Sequence, residues 1–396
     1  MASCRTRPKQ DRYPDLLDLP SSTPVIVAAR RTPIAAIGHR LAQLNLTGLT
    51  SPVLRAVCED AEEFVAATDG IRDVVLGNCM GPGGNPARLA ALAAGLGTQV
   101  PGATVDRQCG SGLAAILDAA APIRAGDPGL RLAGGAESPS TAPARSFDGV
   151  PYARAAFAPE GFSDPDMPQA AEDLAAADGI TRQRQDSYAM QSHRRAADAL
   201  TAGRLRSELV PLGGLKADEG IGRRPEVIPR LRPLVDGGTV TAGNSTRIND
   251  GAAAVLLAPA SAARARMVPG LALRSQAIMG CDPSLPGLGA APALQRALAE
   301  LGADVGDLAA LEIVEAFAAQ TLAVLDRLGI AEDDPRVCAE GGALALGHPW
   351  GASGAVAVVR LFSRLVRSGA PAGTLGAAAV SVGGGLGIAA VVEVVR

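Results

Sequence analysis

Short, almost purely apolar runs that alternate with helical stretches constrain this chain more than any other feature. Val25-Ile26-Val27-Ala28-Ala29 reads as a buried strand, and helical segments follow over 51–65, 86–96 and 111–124. The last third returns to the same pattern, with helices over 290–301 and 316–328 and two strands over 376–382 and 387–395. Strands that are apolar throughout are covered on both faces, so the alternation predicts an α/β fold with largely buried sheets. Only 3% of residues are aromatic against 47% hydrophobic, so the core must be built from Ala, Val, Leu and Ile. At 396 residues there is enough chain for two or three domain-sized units.

An internal echo suggests one design used twice. Cys109-Gly110-Ser111-Gly112 opens a helix that leads to Gly134-Gly135, and Gly351-Ala352-Ser353-Gly354 opens one that leads to Gly383-Gly384-Gly385. The expected organisation is a mobile tail over 1–22 and an N-terminal half over 23–128 plus 241–265. An inserted loop domain over 129–240 and a C-terminal half over 266–396 complete it. The insert is richer in Pro, Arg and Asp and carries a polar helix over 182–200.

Composition excludes several classes of function. A net charge of −3 without a basic stripe argues against a nucleic-acid partner, and no apolar run reaches the roughly 20 residues of a membrane span. Residues 1–18 hold Arg and Lys but no apolar signal core, and Asp11, Asp15 and Asp18 argue against an organelle address. The six cysteines (Cys4, Cys58, Cys79, Cys109, Cys281 and Cys338) are scattered, with no CxxC pair. Neither a disulfide framework nor a metal site is expected, and a cytoplasmic setting fits best.

Two glycine-bounded turns carry the candidate chemistry. In Val105-Asp106-Arg107-Gln108-Cys109-Gly110-Ser111-Gly112 a thiol sits where a helix begins, and the free backbone N–H groups and helix dipole there predict a stabilised thiolate. An isolated cysteine is more often a packing residue. Far along the chain, however, Gly347-His348-Pro349-Trp350-Gly351 presents one of only three histidines on a comparable turn. A cysteine and a histidine remote in sequence, each on a Gly-rich turn, are the parts of an activated thiolate and its base. His193, on the polar helix, is expected to be solvated; His39 is expected to be structural, and Cys58 and Cys79 to be packing residues.

With these turns in place the chain resembles the thiolase family, the acyl-CoA acyltransferases that make or cleave a carbon–carbon bond between two thioesters. The resemblance runs from about Pro24 to Arg396. Besides the two turns it rests on Asn85-Pro86-Ala87-Arg88, Gly134-Gly135-Ala136-Glu137-Ser138, Leu231-Arg232-Pro233 and Thr241-Ala242-Gly243-Asn244. Ile248-Asn249-Asp250-Gly251, Glu315-Ala316-Phe317 and Gly383-Gly384-Gly385 complete it. It implies a thiolase-like duplicated five-layer fold with an inserted loop domain, a coenzyme A thioester as substrate with no permanently bound cofactor, and a homodimer or homotetramer.

By resemblance Cys109 is the nucleophile, His348 takes its proton, and the N–H of Cys109 and one from the glycine turn, assigned to Gly384, hold the oxyanion. Glu315 is assigned to orienting a water or His348. Met167 corresponds to the acyl pocket, Ser245 and Thr246 to the pantetheine arm, Arg224 with Arg223 to the nucleotide end, and Phe317 and Val314 to the substrate side of their motif. Arg247 stands where a small residue is usual and is expected to narrow the tunnel.

Two departures stand out. The family's second cysteine, the base for the carbanion step, is Ser381 here, and the Asn that holds an enolate-stabilising water is Val314. A thiol near pKa ~8.5 can be tuned towards neutrality, whereas an alkyl hydroxyl normally cannot. Both changes remove carbanion chemistry and spare acyl transfer to Cys109, with Cys338, Glu315 and Glu340 as candidate replacements for the missing base. The expected function is transfer of an acyl group from an acyl-CoA or acyl-carrier thioester, through Cys109, to an acceptor that needs no α-proton removed. An ordinary acetyl-CoA C-acetyltransferase and a non-catalytic scaffold are the alternatives.

Overall fold

The computed structural model describes residues 19–152, 154–222 and 224–396. The expected tail therefore lies outside the described residues up to position 18. From Leu19 the chain is packed: Leu19 is buried and its carbonyl accepts from Arg264 Nη2 at 2.6 Å.

In chain order the N-terminal half contains β1 (Pro24–Arg31), β2 (Ala35–Ala36), α1 (Leu46–Asp60), α2 (Glu62–Ala66) and β3 (Ile71–Gly77). It continues through α3 (Pro86–Ala93), β4 (Ala103–Val105), α4 (Ser111–Arg124) and β5 (Leu130–Glu137). The hairpin β6 (Arg145–Phe147) and β7 (Val150–Tyr152) and helices α5 (Met167–Asp178) and α6 (Arg182–Thr201) intervene before β8 (Asn249–Pro259) and α7 (Ala260–Ala265). The C-terminal half holds β9 (Gly270–Gly280), α8 (Ala290–Leu301), β10 (Leu308–Ile313), α9 (Ala318–Leu328), α10 (Ala343–Leu346), α11 (Trp350–Leu361), β11 (Leu375–Val382) and β12 (Leu386–Val395).

The duplication is written in the strand order. One half runs β4-β3-β5-β8-β1, with β3 parallel to β4 and β5, and β8 antiparallel to both β5 and β1. The other runs β10-β11-β12-β9, with β10 parallel to β11, and β12 antiparallel to both β11 and β9. A parallel bridge from Leu311 to Val337 supplies the counterpart of β4. The halves join edge to edge where Val25 and Ile26 of β1 pair with Ala272 and Leu271 of β9.

Side-chain alternation sorts the strands into layers. Along β8, Ala253, Val255 and Leu257 share one core with α4, α11 and inward residues of β11 and β12, among them Val380 and Ile388. Ala254, Leu256 and Ala258 point the other way, towards α1 and α3. On the far side, Ala377 of β11 and Val391 of β12 pack with α8 and α9. Helix–sheet–helix–sheet–helix is the resulting stack, and α4 is buried nearly all round because it lies in the middle layer.

The two middle helices meet at glycine. A Cβ on Gly112 would come within 2.8 Å of Gly351 O, and one on Gly135 within 1.9 Å of the same atom. The helix-opening part of the sequence echo is therefore a backbone-to-backbone contact. Its second part is not an equivalence, since Gly134 and Gly135 lie inside β5 while Gly383 to Gly385 form the β11–β12 turn.

The boundary expected at 129 is corrected as well. β5 pairs with β3 and β8 in the middle of its half-sheet, so the insert begins after Glu137. It is fastened by buried charge. Arg31 Nε donates to Glu208 Oε1 at 2.8 Å and Arg31 Nη1 to Asp218 Oδ1 at 2.6 Å, while Arg360 of α11 pairs with Glu208 and Glu340.

Candidate active site

Cys109 sits on a strained turn between β4 and α4. Gln108 adopts φ 41°, a left-handed conformation uncommon outside glycine, held by Ser111, whose Oγ donates to Gln108 O at 2.6 Å and accepts from Arg107 N at 2.7 Å. Gly110 follows because a Cβ there would come within 2.9 Å of Val382 Cγ2. The turn lifts the thiol into a cavity of about 530 Å³ whose lining includes Cys109, His348, Ser381 and Gly383.

The thiol is not held as a thiolate at rest, contrary to the sequence expectation. Burial pushes the Cys109 thiol up to about 11; the N–H groups of Gly383 and of Cys109 itself face the sulfur and oppose the rise, and Glu137 and Asp106 add to it. Desolvation at the middle layer outweighs the helix terminus. The turn amide directed at Cys109 is that of Gly383, not Gly384. Gly384, at φ 85°, lies against Phe157 O, which a Cβ would approach to 3.0 Å.

His348 lines the same cavity. Its Nδ1 lies 2.6 Å from Ser353 Oγ, and Ser353 donates its own proton to Pro349 O at 2.9 Å. The hydroxyl can therefore only accept from the ring, which puts the histidine proton on Nδ1 and leaves Nε2 as a lone pair. That Nε2 is buried, with no hydrogen-bond partner among the described residues. Burial lowers the imidazole pKa to about 4, so the ring is neutral around pH 7. Its backbone is fixed by His348 N donating to Asn249 Oδ1 at 3.0 Å.

Ser381 lines the same cavity but is fully engaged. Its Oγ donates to Gly287 O at 2.7 Å and accepts from Ala290 N at 3.1 Å and Gln320 Nε2 at 3.4 Å. Its proton points into a carbonyl, and its lone pairs are occupied.

The remaining expected residues divide. Met167, Thr246 and Phe317 line the Cys109 cavity. Ser245 and Arg224 line an adjoining cavity of about 280 Å³ together with His193, which is not simply solvated. Arg247 lines both, at their junction. Arg223 lies outside the described residues.

Glu315 and Val314 line neither cavity. Glu315 is buried, accepting from Tyr188 Oη at 2.9 Å, Ser192 Oγ at 2.7 Å and Leu344 N at 3.3 Å, so it ties α6 to α10, the short helix leading to His348, instead of touching His348. Burial raises its pKa, partly offset by those donors. Val314 belongs to the central core. Cys338 is buried with its Sγ donating to Ile313 O at 3.3 Å, and Glu340 is committed to arginines, so neither replaces the missing base.

Sequence reasoning missed four contributors: Gly383, Ser353, Gln320 and Phe157. The first two stand inside motifs already singled out, and Gln320 falls one helical turn beyond Phe317, a spacing that could have revealed it. Phe157 comes from the insert and had no local signal. Cys79, read as packing, also lines the cavity, with its Sγ donating to Gln108 O at 3.0 Å. Among the described residues no cluster of His, Cys, Asp and Glu could hold a metal ion, and no helix is long and apolar enough to cross a membrane.

Comparison with known proteins identifies the family. The family model "Thiolase, N-terminal domain" matches residues 24–261 and "Thiolase, C-terminal domain" residues 268–394. The chain is similar to "Putative acetyl-CoA C-acetyltransferase YhfS" of Bacillus subtilis, 41% identical over 376 residues covering 93% of this chain and 99% of the relative. It is 39% identical to the "Acetyl-CoA acetyltransferase" of Chromobacterium violaceum, over 93% of this chain and 98% of the relative. The crystal structure of the Bacillus anthracis acetyl-CoA acetyltransferase superposes with a TM-score of 0.84 at 33% identity, over 94% of this chain and 99% of that one.

Proposed function

Since the chain belongs to the thiolase family and is an acyl-CoA-dependent acyltransferase with a coenzyme A thioester as substrate, we propose that it loads the acyl group onto Cys109 and passes it to an acceptor without the standard carbanion step. His348 Nε2 accepts the thiol proton as sulfur attacks the thioester carbonyl. The oxyanion is met by the N–H groups of Cys109 and Gly383. CoA then leaves as a thiol, taking the proton back. A buried neutral pair suits this route, because charge separation arises only as the bond forms.

The observation that carries the reading is Ser381. A group that abstracts a proton from a thioester methyl needs a free lone pair near the substrate. Ser381 Oγ spends its bonds on Gly287, Ala290 and Gln320, and Val314 can hold no water. Acceptors that need no α-proton removed by this enzyme remain: an amine, an alcohol, water or an already acidic carbon.

Intact-protein mass spectrometry with a panel of acyl-CoAs tests the first half. One acyl group should add to the protein and be absent from Cys109→Ala. Acetoacetyl-CoA cleavage tests the second half: robust cleavage by the unaltered protein sinks the proposal. The second reading, a working acetyl-CoA C-acetyltransferase, is favoured by the names of the relatives and would be the conclusion from that result.

The proposal includes a cytoplasmic homodimer or homotetramer. Leu89 and Leu92 on α3, 51% and 42% exposed, support self-association, which sedimentation would check.

A further inference from the structure

The cavity beside Cys109 carries more positive charge than its own carboxylates balance. Arg145, Arg154 and Arg247 line it against a single aspartate, Asp106. Arg154 is neutralised locally, donating from Nη1 to Asp164 Oδ1 at 2.7 Å with its guanidinium 4.7 Å from the Phe157 ring centre. Asp106 is turned towards its own turn, accepting from Gln108 N at 3.0 Å. Arg145 stacks at 5.8 Å over Tyr152, and Arg247 is exposed at the junction with the second cavity. Among the described residues neither forms an ion pair with a carboxylate. Met167, Leu174, Phe317 and Trp350 keep much of the remaining wall apolar.

We propose that the acyl group this cavity takes ends in a carboxylate: the donor is the coenzyme A thioester of a dicarboxylic acid, and Arg145 and Arg247 grip its free carboxylate. The inference rests on the reading of Cys109 as the acylated residue. Low-dielectric walls focus the field of unpaired cations, and a guanidinium fork matches a carboxylate through charge-assisted hydrogen bonds. An acyl chain ending in a methyl group gains nothing from those cations and would strip water from them, so selectivity has both an attractive and a repulsive part. The distal carboxylate takes no part in the bond changes. Sulfur of Cys109 bonds to the thioester carbon, the carbon–sulfur bond to CoA breaks, and CoA leaves as a thiol with the proton that passed through His348.

The test is time-resolved intact mass spectrometry of the full chain with glutaryl-CoA and pentanoyl-CoA, donors of equal acyl carbon count. Glutaryl loading should be at least about tenfold faster, and R145M and R247M should each cut the glutaryl-to-pentanoyl rate ratio by roughly tenfold. Neither side chain is buried, so both variants keep the fold, which thermal unfolding verifies. Pentanoyl-CoA loading as fast as glutaryl-CoA in the unaltered protein overturns the inference while leaving acyl transfer intact. An unchanged ratio in both variants, with loading slowed equally for both donors, assigns the arginines to coenzyme A and overturns it too. If no donor loads Cys109, the functional reading and this inference fall together.

Discussion

Two side chains above Cys109, His348 on its glycine-bounded turn and Ser381 near the end of β11, have opposite hydrogen-bonding histories. Each comes from the C-terminal half, each is buried, and each lines the space above Cys109. His348 spends one ring nitrogen on Ser353 and leaves the other unpartnered, whereas Ser381 has donor and acceptor capacity committed to Gly287, Ala290 and Gln320. On the function proposed above, that nitrogen is the one left to take the reacting proton, since no group among the described residues engages it. A saturated hydroxyl is a structural strut. On the same proposal, the cavity is open for acyl transfer on the His348 side and fastened on the Ser381 side.

The contrast can be broken most directly at the histidine. His348→Gln should slow acyl loading of Cys109 by about 10²–10⁴-fold, the usual contribution of a general base, measured by rapid quench and mass spectrometry. Loading that is indifferent to this change would remove Nε2 from the mechanism.

The pH dependence sharpens the same side. With the thiol at about 11 and the imidazole at about 4, the neutral pair dominates between those values. General-base attack then gives a loading rate that is flat from about pH 5 to 9. Attack by a thiolate formed beforehand would instead climb about tenfold per pH unit. The same histidine shapes stability. Its folded pKa of about 4 lies below the reference 6.5, so between these values the unfolded chain binds more protons. Stability should be complete above about 6.5 and fall towards 4, by up to about 3 kcal/mol before solvent relaxation is considered. Urea unfolding of the protein and of His348→Gln at pH 7.5 and 5 would show the difference narrowing in acid.

At Glu315 the expected effect moves from chemistry to packing. Glu315→Ala leaves Tyr188 Oη, Ser192 Oγ and Leu344 N without their common acceptor. A loss of about 2–3 kcal/mol in unfolding free energy should follow, with a smaller effect on loading than His348→Gln.

The smallest effect is expected at the strut. Ser381→Ala should cost about 1–2 kcal/mol of stability by orphaning Gly287 O and Ala290 N, and change Cys109 loading by less than about threefold. Ser381→Cys adds the missing thiol; if acetoacetyl-CoA cleavage remains undetectable there, Val314 must also be altered before carbanion chemistry returns.

Much of this was legible in the chain because it is encoded locally. Helix boundaries over 111–124 and 290–301 coincide with α4 and α8, since apolar periodicity and glycine stops act within a turn or two. Cys109 and His348 were found because turns rich in glycine mark themselves. The start of the insert was missed because β5 is apolar in a way that names no partner; only its pairing with β3 and β8 assigns it to the N-terminal half. Gly383 was passed over for Gly384 because adjacent glycines are indistinguishable until one amide is seen to face the sulfur.

The sequence by itself determined the alternating elements, the repeated half and the two turns that present the candidate nucleophile and base, all properties of residue type and short-range order. Tertiary structure alone decided that Cys109 rests as a thiol, that His348 keeps a bare Nε2 and that Ser381 is spent. Desolvation and hydrogen-bond saturation depend on which distant backbone closes over an atom, here Gly287, Ala290, Gly383 and Pro349, and no local pattern records that.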